Sequence, residues 1–261
     1  MVCIRKQSLV DIEKHRDSCN IRWIGGKKLL RGEILARFPA EYSRYIEVFG
    51  GAGWVLFGRK PDKAMEVFND RNGELINLWR CVKYHPEAVR QELEGTLQSR
   101  EIFQAFFAGQ AETDIQRAAR YLYLIKESFG SDVRTFATGS RPLEHTLDRL
   151  PEVAKRLSRV VIENVDFEQL LSTYDRPNAL FYLDPPYHGS EKVYRTDFSE
   201  DDHHRLREAL GKVRGKWILS YNDDSFIRGL YDGFRIEGVS RRNQLSGKET
   251  GEYREVIVRN Y

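Results

Sequence analysis

Strands and helices alternate at both ends of this chain, and that order limits the folds open to it. Residues 45–49 (YIEVF) predict a strand, residues 50–53 (GGAG) a turn and residues 54–58 (WVLFG) a helix. A second predicted strand over residues 64–68 leads into an apolar-periodic helix over residues 74–82. Units in this order favour a parallel sheet whose two faces are covered by helices.

The middle of the chain shows helical periodicity alone. Apolar residues recur at three- and four-residue spacing in QELEGTLQ, EIFQAFFAG and IQRAARYLYLIKESF, and residues 128–142 then predict a loop rich in Gly, Ser and Thr. Alternation resumes in VVIENV, FEQLLSTY, ALFYL, SEDDHHRLREALGKV, KWILSY, DSFIRGLY, FRIEGV and REVIVRNY. We therefore predict an α/β domain formed by residues 1–84 and 151–261, with a helical insert over residues 85–150.

Composition excludes several other classes of protein. The net charge is only +3, so a polyanion would have to be bound by a local basic patch. Three cysteines without C-x-x-C spacing argue against a disulfide framework and a zinc site. The start of the chain lacks the apolar core of a signal peptide, and no apolar run reaches the ~20 residues of a membrane span. We expect a cytoplasmic protein with reduced thiols.

Two features after the first strands indicate a nucleoside-containing ligand. The glycines of residues 50–53 let the backbone approach a ligand at a helix N-terminus, although one or two glycines also suit a turn without a ligand. Asp70 follows the second strand, where a carboxylate can accept hydrogen bonds from both hydroxyls of a ribose. A simple helix cap is the alternative for Asp70.

The sequence FYLDPPY ends a third predicted strand with an acid, two prolines and an aromatic ring. Proline cannot donate to a sheet ladder, so the strand stops at Asp184, at the edge where open α/β sheets bind ligands. The rigid prolines direct the Asp184 carboxylate and the Pro185 carbonyl to one point beside the Tyr187 ring. This arrangement suits a planar heterocycle with an exocyclic amino group; a proline turn with a surface tyrosine is the structural alternative.

Four motifs occur in the order found in one enzyme family. They are WIGGK (residues 23–27), FGGAG (49–53), NDRN (69–72) and DPPY (184–187). In these motifs the chain resembles the Dam-like, D12 class DNA adenine N6-methyltransferases of the alpha group. The resemblance runs from about Arg22 to Tyr261 and includes the later segments LSYND and EVIVRNY.

The resemblance implies a Rossmann-like fold that uses S-adenosylmethionine, with a mostly parallel sheet and a helical target-recognition insert. The residues implied to bind the cofactor are Trp23 and Lys27 at its methionine end, Phe49, Gly50, Gly51 and Gly53 around it, Asp70 on the ribose, Asp166 and Phe167 at its adenine, and Asp184 between cofactor and substrate. The implied catalytic residues are Asp184, Pro185, Pro186 and Tyr187. No metal is required.

The implied substrate is adenine flipped out of double-stranded DNA, with the Tyr187 ring stacked on the base. Basic side chains in two loops are candidates for phosphate contacts: Lys126, Arg134, Arg141, Arg241, Arg242 and Lys248. A solvated surface charge is the alternative for each. The stretch KESFGSDVRTFATGSRP departs from the aromatic, asparagine-rich basic loop of Dam enzymes that read GATC, so the target sequence stays open.

Other activities remain open at this stage. The DPPY motif is suited to bind an amino group of a base and not a sugar, so it does not distinguish DNA from RNA. An RNA adenine N6-methyltransferase is therefore the alternative enzyme. A catalytically silent DNA-binding homologue is the alternative outside enzymes. A nicotinamide dehydrogenase is disfavoured, because Leu56 or Phe57 stands where its fingerprint needs a third glycine. The resemblance implies a bacterial or phage-infected cell, where the enzyme is either the functional partner of a restriction endonuclease or a solitary or phage-borne methyltransferase.

Overall fold

The computed structural model describes residues 30–139, 142–189, 198–242 and 252–261. In these residues seven strands form one sheet, in the order β3-β2-β1-β4-β5-β7-β6. The strands are β1 (Arg44–Glu47), β2 (Met65–Asn69), β3 (Val160–Glu163), β4 (Ala179–Leu183), β5 (Lys216–Asn222), β6 (Arg235–Arg242) and β7 (Glu252–Arg259). The chain divides into two compact units. The sheet unit comprises Glu33–Gly50, Lys63–Arg71 and Glu163–Tyr261, and the helical unit includes residues 51–62 and 72–162.

The central strands of the sheet are parallel. Strand β1 pairs in parallel with β2 and with β4, and β4 pairs in parallel with β5. Strand β7 is antiparallel to both of its neighbours, β5 and β6. Because the chain leaves β1 for β2 on one side and β4 lies on the other, the strand order reverses between β1 and β4. Ligands of open α/β sheets bind at such a switch point, outside the carboxyl ends of the strands. The predicted fold class is confirmed.

Three of the four helices described in the sheet unit start at side-chain caps that the sequence provides. Helix α1 (Arg31–Ala36) precedes β1, and α9 (Phe167–Tyr174), α10 (Glu200–Lys212) and α11 (Ser225–Leu230) follow β3, β4 and β5. Asp166 caps α9 and Asp224 caps α11, each accepting a hydrogen bond from a backbone N–H of the first turn. Ser199 caps α10 as predicted, and its backbone N–H donates to Asp202 Oδ2 at 2.8 Å.

The helices described in the helical unit are α2 (Trp54–Gly58), α3 (Gly73–Tyr84), α4 (Pro86–Leu93), α5 (Arg100–Ala108), α6 (Asp114–Glu127), α7 (Glu144–Leu147) and α8 (Leu150–Leu157), with a 3₁₀ turn at Phe129–Ser131. The sequence predicts α2, α3, α5 and α6. The helix predicted in QELEGTLQ (residues 91–98) is wrong beyond Leu93, where a turn with Gly95 at a φ of 75° ends α4, and the prediction misses α7 and α8. Helices α3 and α6 bury Trp79, Leu122 and Tyr123 completely. No helix in the described parts of the chain combines the length and apolar character needed to cross a membrane. The same residues contain no cluster of His, Cys, Asp and Glu side chains suited to a metal ion.

A charged network fastens the outer strands of the sheet unit. Glu237 on β6 accepts hydrogen bonds from Arg259 on β7, from Arg37 at 2.8 Å and from Arg235 at 2.7 Å. The guanidinium of Arg259, followed by that of Arg37, lowers the pKa of Glu237 to about 2. A carboxyl whose pKa is lower in the folded than in the unfolded chain adds stability above its ordinary pKa and loses that contribution as the pH falls.

We expect Glu237→Gln to lower the free energy of unfolding by about 1–3 kcal/mol at pH 7, because the charge of the acceptor is lost while its shape is kept. The difference from the native protein should be complete above pH ~5 and should shrink as the pH falls toward 2, as measured by urea unfolding at several pH values. Glu208→Gln is the control, because Glu208 and its partner Lys212 are both more than 70% exposed. A difference that does not change with pH would contradict this account.

Candidate active site

The DPPY segment begins where β4 ends, beside the switch point of the sheet. All five residues of β4 are buried, and the strand stops at Leu183, as the prolines predict. Asp184 is half-buried at the carboxyl end of this strand, and Pro185 behind it is buried. The hydroxyl of Ser220 on β5 donates to Asp184 Oδ1 at 3.1 Å. The fold therefore presents a carboxylate at the edge where ligands bind, with a donor fixing one of its oxygens.

The hydroxyl of Tyr187 is hydrogen-bonded to a second acid, Glu255, on strand β7. This hydroxyl donates to Glu255 Oε2 at 2.9 Å, and Glu255 is only 2% exposed. Burial, followed by the negative charge of Asp184, raises the pKa of Tyr187 well above its usual value. The phenol therefore stays protonated and remains a donor. Its half-buried ring lies 6.2 Å from the ring of Tyr221, centre to centre.

The residue after the motif is anchored as well. The backbone carbonyl of His188 accepts a hydrogen bond from Asn222 Nδ2 at 3.2 Å. The Nδ1 atom of the His188 ring lies 3.0 Å from Asp224 Oδ2. The imidazole ring stacks on Phe226, with 4.2 Å between ring centres. Contacts on both sides of Tyr187 thus fix the backbone on which the aromatic ring is carried.

Three aromatic rings meet near the carboxyl ends of β1 and β3. The ring centres of Phe49, Phe167 and Phe198 lie 5.8 to 6.0 Å apart. The Arg205 guanidinium covers Phe167 at 4.9 Å and donates to Asp166 at 3.3 Å. Motif reasoning points to Phe49, Asp166 and Phe167 but misses Phe198, which belongs to no motif. Flat apolar surfaces beside a carboxylate suit a purine base with an amino group.

Asn69 connects the ends of three neighbouring strands. Its side chain is 2% exposed, donates to the Val48 carbonyl at 2.9 Å and accepts from the Val165 N–H at 2.9 Å. Asn164 Nδ2 donates to the carbonyl of Asp70 at 2.7 Å. These amides hold the half-buried Asp70 and the segment that leads to Asp166 at the same edge of the sheet. A carboxylate there can accept hydrogen bonds from sugar hydroxyls.

Comparison with known proteins decides the family. Residues 23–245 match the family of D12 class N6 adenine-specific DNA methyltransferases. The chain belongs to this family. It is an adenine-specific DNA methyltransferase, and the predicted resemblance to the D12 class is confirmed.

Three relatives match the methyltransferase over nearly its whole length. It is 27% identical to the type II methyltransferase M1.LlaDCHI of Lactococcus lactis subsp. cremoris, over 92% of this chain and 94% of that protein. It is 26% identical to the retron Ec67 DNA adenine methylase of Escherichia coli, over 89% of this chain and 86% of that protein. It is 24% identical to a DNA adenine methylase of Haemophilus influenzae, over 93% of this chain and 92% of that protein.

The glycine turn of the methyltransferase has steric reasons for every glycine. The Gly50 N–H donates to the Asn69 carbonyl at 2.7 Å, and a Cβ at Gly50 would lie 2.3 Å from the Phe68 ring. Gly51 and Gly53 have φ angles of 51° and 68°, in the left-handed region that favours glycine. Because the Phe68 ring explains Gly50 and the backbone conformation explains Gly51 and Gly53, the turn is not independent evidence for a ligand.

Replacing Gly50 by Ala should lower the free energy of unfolding by about 1–3 kcal/mol, because the new methyl group overlaps a buried ring that has to move. Thermal unfolding provides the measurement. The control is Gly139→Ala, because a Cβ at Gly139 meets nothing within 4 Å. Equal melting temperatures for the two variants would show that the Phe68 ring yields without cost.

The predicted DNA-binding residues Lys126 and Arg134 flank an ordered turn of the helical unit. Phe129 N–H donates to the Thr135 carbonyl at 2.6 Å, and Asp132 accepts from the backbone N–H groups of Arg134 and Thr135 at 2.9 and 2.8 Å. Lys126 is half-buried, whereas Arg134 is exposed and the Phe129 side chain is 69% exposed. The turn thus presents a cation and an aromatic ring to solvent.

The other predicted site residues are not tested by the geometry. Trp23, Lys27, Arg141 and Lys248 lie outside the described residues. Arg241 and Arg242 end β6, in register with Tyr253 and Glu252 of β7, and the structure describes their backbone alone.

Proposed function

We propose that this methyltransferase transfers the methyl group of S-adenosylmethionine to N6 of an adenine that has been flipped out of duplex DNA. The observation that carries the proposal is the position of Asp184, a carboxylate at the carboxyl end of β4, next to the switch point and held there by Ser220. An acid in this position can receive the amino group of a planar base.

The proposed cofactor site extends along the carboxyl edge of the sheet unit. Asp70 would accept hydrogen bonds from the ribose, and Phe49, Phe167 and Asp166 would surround the adenine, with Phe198 completing the apolar surface. Gly50, Gly51 and Gly53 would allow close approach, and Trp23 and Lys27 would contact the methionine end. When bound, the sulfonium supplies an electrophilic methyl group. These acceptors and aromatic faces match the hydroxyls and the base of an adenosine moiety.

The Asp184 carboxylate and the Pro185 carbonyl would accept hydrogen bonds from the two N6 protons of adenine. These contacts favour a pyramidal nitrogen whose lone pair is no longer delocalised into the ring. The methyl group would then pass from the sulfonium to this nitrogen, the electron pair of the broken carbon–sulfur bond would stay on sulfur, and the surplus N6 proton would be released to solvent water. Pro186 keeps the loop rigid, and the Tyr187 ring stacks on the extruded base.

We propose that the helical insert over residues 85–150 grips the DNA that flanks the extruded base, while residues 1–84 and 151–261 form the catalytic part. Lys126 in the last turn of α6, Arg134 after it and Arg141 would contact phosphates, as would Arg241 and Arg242 at the end of β6 together with Lys248. Support comes from the exposure of Arg134 and Phe129 on one ordered turn.

Arg134→Ala is expected to weaken binding to a duplex and to reduce the slope of log affinity against log salt by roughly 0.9, the contribution of one phosphate contact. Fluorescence anisotropy at several salt concentrations measures both quantities. Arg90→Ala is the control, because Arg90 is paired with Asp148 at 3.1 Å and its charge is already compensated. An unchanged salt slope for Arg134→Ala would remove this residue from the interface.

The name of one relative supports the biological setting that we propose. The relative from Lactococcus lactis subsp. cremoris is named a type II methyltransferase. A role as the modification partner of a restriction endonuclease, in the cytoplasm of a bacterial or phage-infected cell, follows by analogy.

The deciding experiment is transfer of labelled methyl from S-adenosylmethionine to duplex DNA that lacks adenine methylation, followed by single-molecule sequencing. We expect N6-methyladenine at one short motif. Label on RNA with none on duplex DNA would favour the RNA enzyme instead. No label on either, together with DNA binding, would identify a silent DNA-binding homologue.

A further inference from the structure

Ser220 lies directly behind the proposed catalytic carboxylate. It is fully buried in β5, and its Oγ lies 3.1 Å from Asp184 Oδ1, 3.4 Å from the Leu183 carbonyl oxygen and 3.2 Å from the Tyr182 hydroxyl. Its neighbours on the strand, Leu219 and Tyr221, are buried as well. One fully buried hydroxyl thus meets three oxygens.

The number of available protons decides which atom donates and which accepts in each of these contacts. The Ser220 hydroxyl has one proton, and its nearest acceptor is the Asp184 carboxylate, which in its ionised form can only accept. The Tyr182 hydroxyl must then be the donor in its contact with Ser220 Oγ. Burial, followed by the charge of Asp184, raises the pKa of Tyr182 well above its usual value, so the phenol keeps its proton. The result is a chain of donors from Tyr182 through Ser220 to Asp184.

We propose that Ser220 is a positioning residue for methyl transfer, which sets the orientation of the Asp184 carboxylate before the adenine amino group arrives. This inference rests on the proposed function of Asp184. A carboxylate on a strand end can rotate about its Cβ–Cγ bond, and a fixed donor on one oxygen restricts that rotation. Acceptors that are oriented in advance do not have to reorganise in the transition state, so the cost of losing Ser220 falls on kcat.

Packing alone does not require a hydroxyl at this position. Strands β4 and β5 pair through their backbones, with Leu183 opposite Leu219, and β7 pairs with β5 on its other side, with Ile257 opposite Ser220. These contacts do not involve the Ser220 side chain. An apolar side chain of similar size is therefore compatible with the sheet, and a merely structural role would affect stability more than turnover.

The test uses Ser220→Ala together with the pair Ser220→Thr and Ser220→Val, which have the same shape and differ in the hydroxyl. Steady-state kinetics on unmethylated duplex DNA give kcat and the KM of each substrate separately, and thermal unfolding gives the stability. Ser220→Ala and Ser220→Val should lower kcat by about 10- to 100-fold, the loss of one hydrogen bond to a charged group, with KM changed less than about threefold. Ser220→Thr should retain kcat within a few-fold of the native enzyme, and Tyr182→Phe should show a smaller loss than Ser220→Ala.

Two results would overturn the inference. One is native kcat in Ser220→Ala. The other is equal kcat for the Thr and Val variants, which would assign the effect to packing; because both carry the same added methyl group, disturbed folding affects them alike. Native enzyme and Asp184→Ala are measured in parallel. If the native enzyme methylates adenine, Asp184→Ala does not and Ser220→Ala matches the native rate, the inference fails while the proposed function stands. If the native enzyme transfers no methyl group, both fail.

Discussion

Replacing Asp184 by Ala is expected to lower kcat for adenine methylation by about 10²–10³-fold or more, with much smaller changes in the affinity for DNA. The carboxylate stands at the end of β4, fixed by Ser220, and its proposed contact with N6 is strongest when the nitrogen becomes pyramidal. Interactions that strengthen in the transition state affect kcat, whereas the phosphate contacts that dominate binding would be made by other residues under the proposed function.

Single-turnover transfer of labelled methyl, with enzyme in excess over duplex, measures the chemical step without product release. The control is Asp201→Ala, which removes an exposed acid from the first turn of α10 and should react at the native rate. Asp184→Asn adds a finer comparison, because its amide keeps an acceptor oxygen but loses the charge. A rate for Asp184→Ala close to that of the native enzyme would rule out the proposed role of the carboxylate.

Local sequence signals predict the elements that carry the site. Proline cannot continue a ladder, so β4 ends at Leu183, directly before Asp184. Alternation of strands and helices predicts the parallel centre of the sheet, and Ser199 is the cap that its sequence context predicts. The end of β4 and the cap at Ser199 depend on neighbours within a few residues, which is the range over which side-chain patterns determine backbone structure, and the parallel pairing follows from the order of the elements.

The supporting contacts depend on residues that are distant in sequence, and no local pattern indicates them. Ser220 reaches Asp184 because β5 pairs with β4, and Glu255 reaches Tyr187 because β7 pairs with β5. Phe198 joins the aromatic cluster from outside every motif. Such contacts follow from strand register and packing, which cannot be predicted from local patterns in a single sequence.

Tyr187 provides the second large effect, because the role that we propose for its ring is separate from the contact that its hydroxyl makes with Glu255. Tyr187→Ala should lower kcat/KM by roughly 10- to 100-fold, since stacking on an extruded base contributes about 1–3 kcal/mol. Tyr187→Phe keeps the ring and should retain most of the activity. It removes the donor to the buried Glu255 carboxylate, however, so the free energy of unfolding should fall by about 1–3 kcal/mol.

The two roles separate in one set of measurements. Fluorescence of 2-aminopurine at the target position reports extrusion of the base, and urea unfolding reports stability. The Phe variant should give the native fluorescence increase with reduced stability, whereas the Ala variant should give a weaker increase or a less persistent one. Adding Glu255→Gln to Tyr187→Phe should recover part of the lost stability, because a neutral amide costs less to bury than a carboxylate that has lost its donor. Reduced activity in the Phe variant, without loss of stability, would instead place the hydroxyl in the reaction and not in the support of the ring.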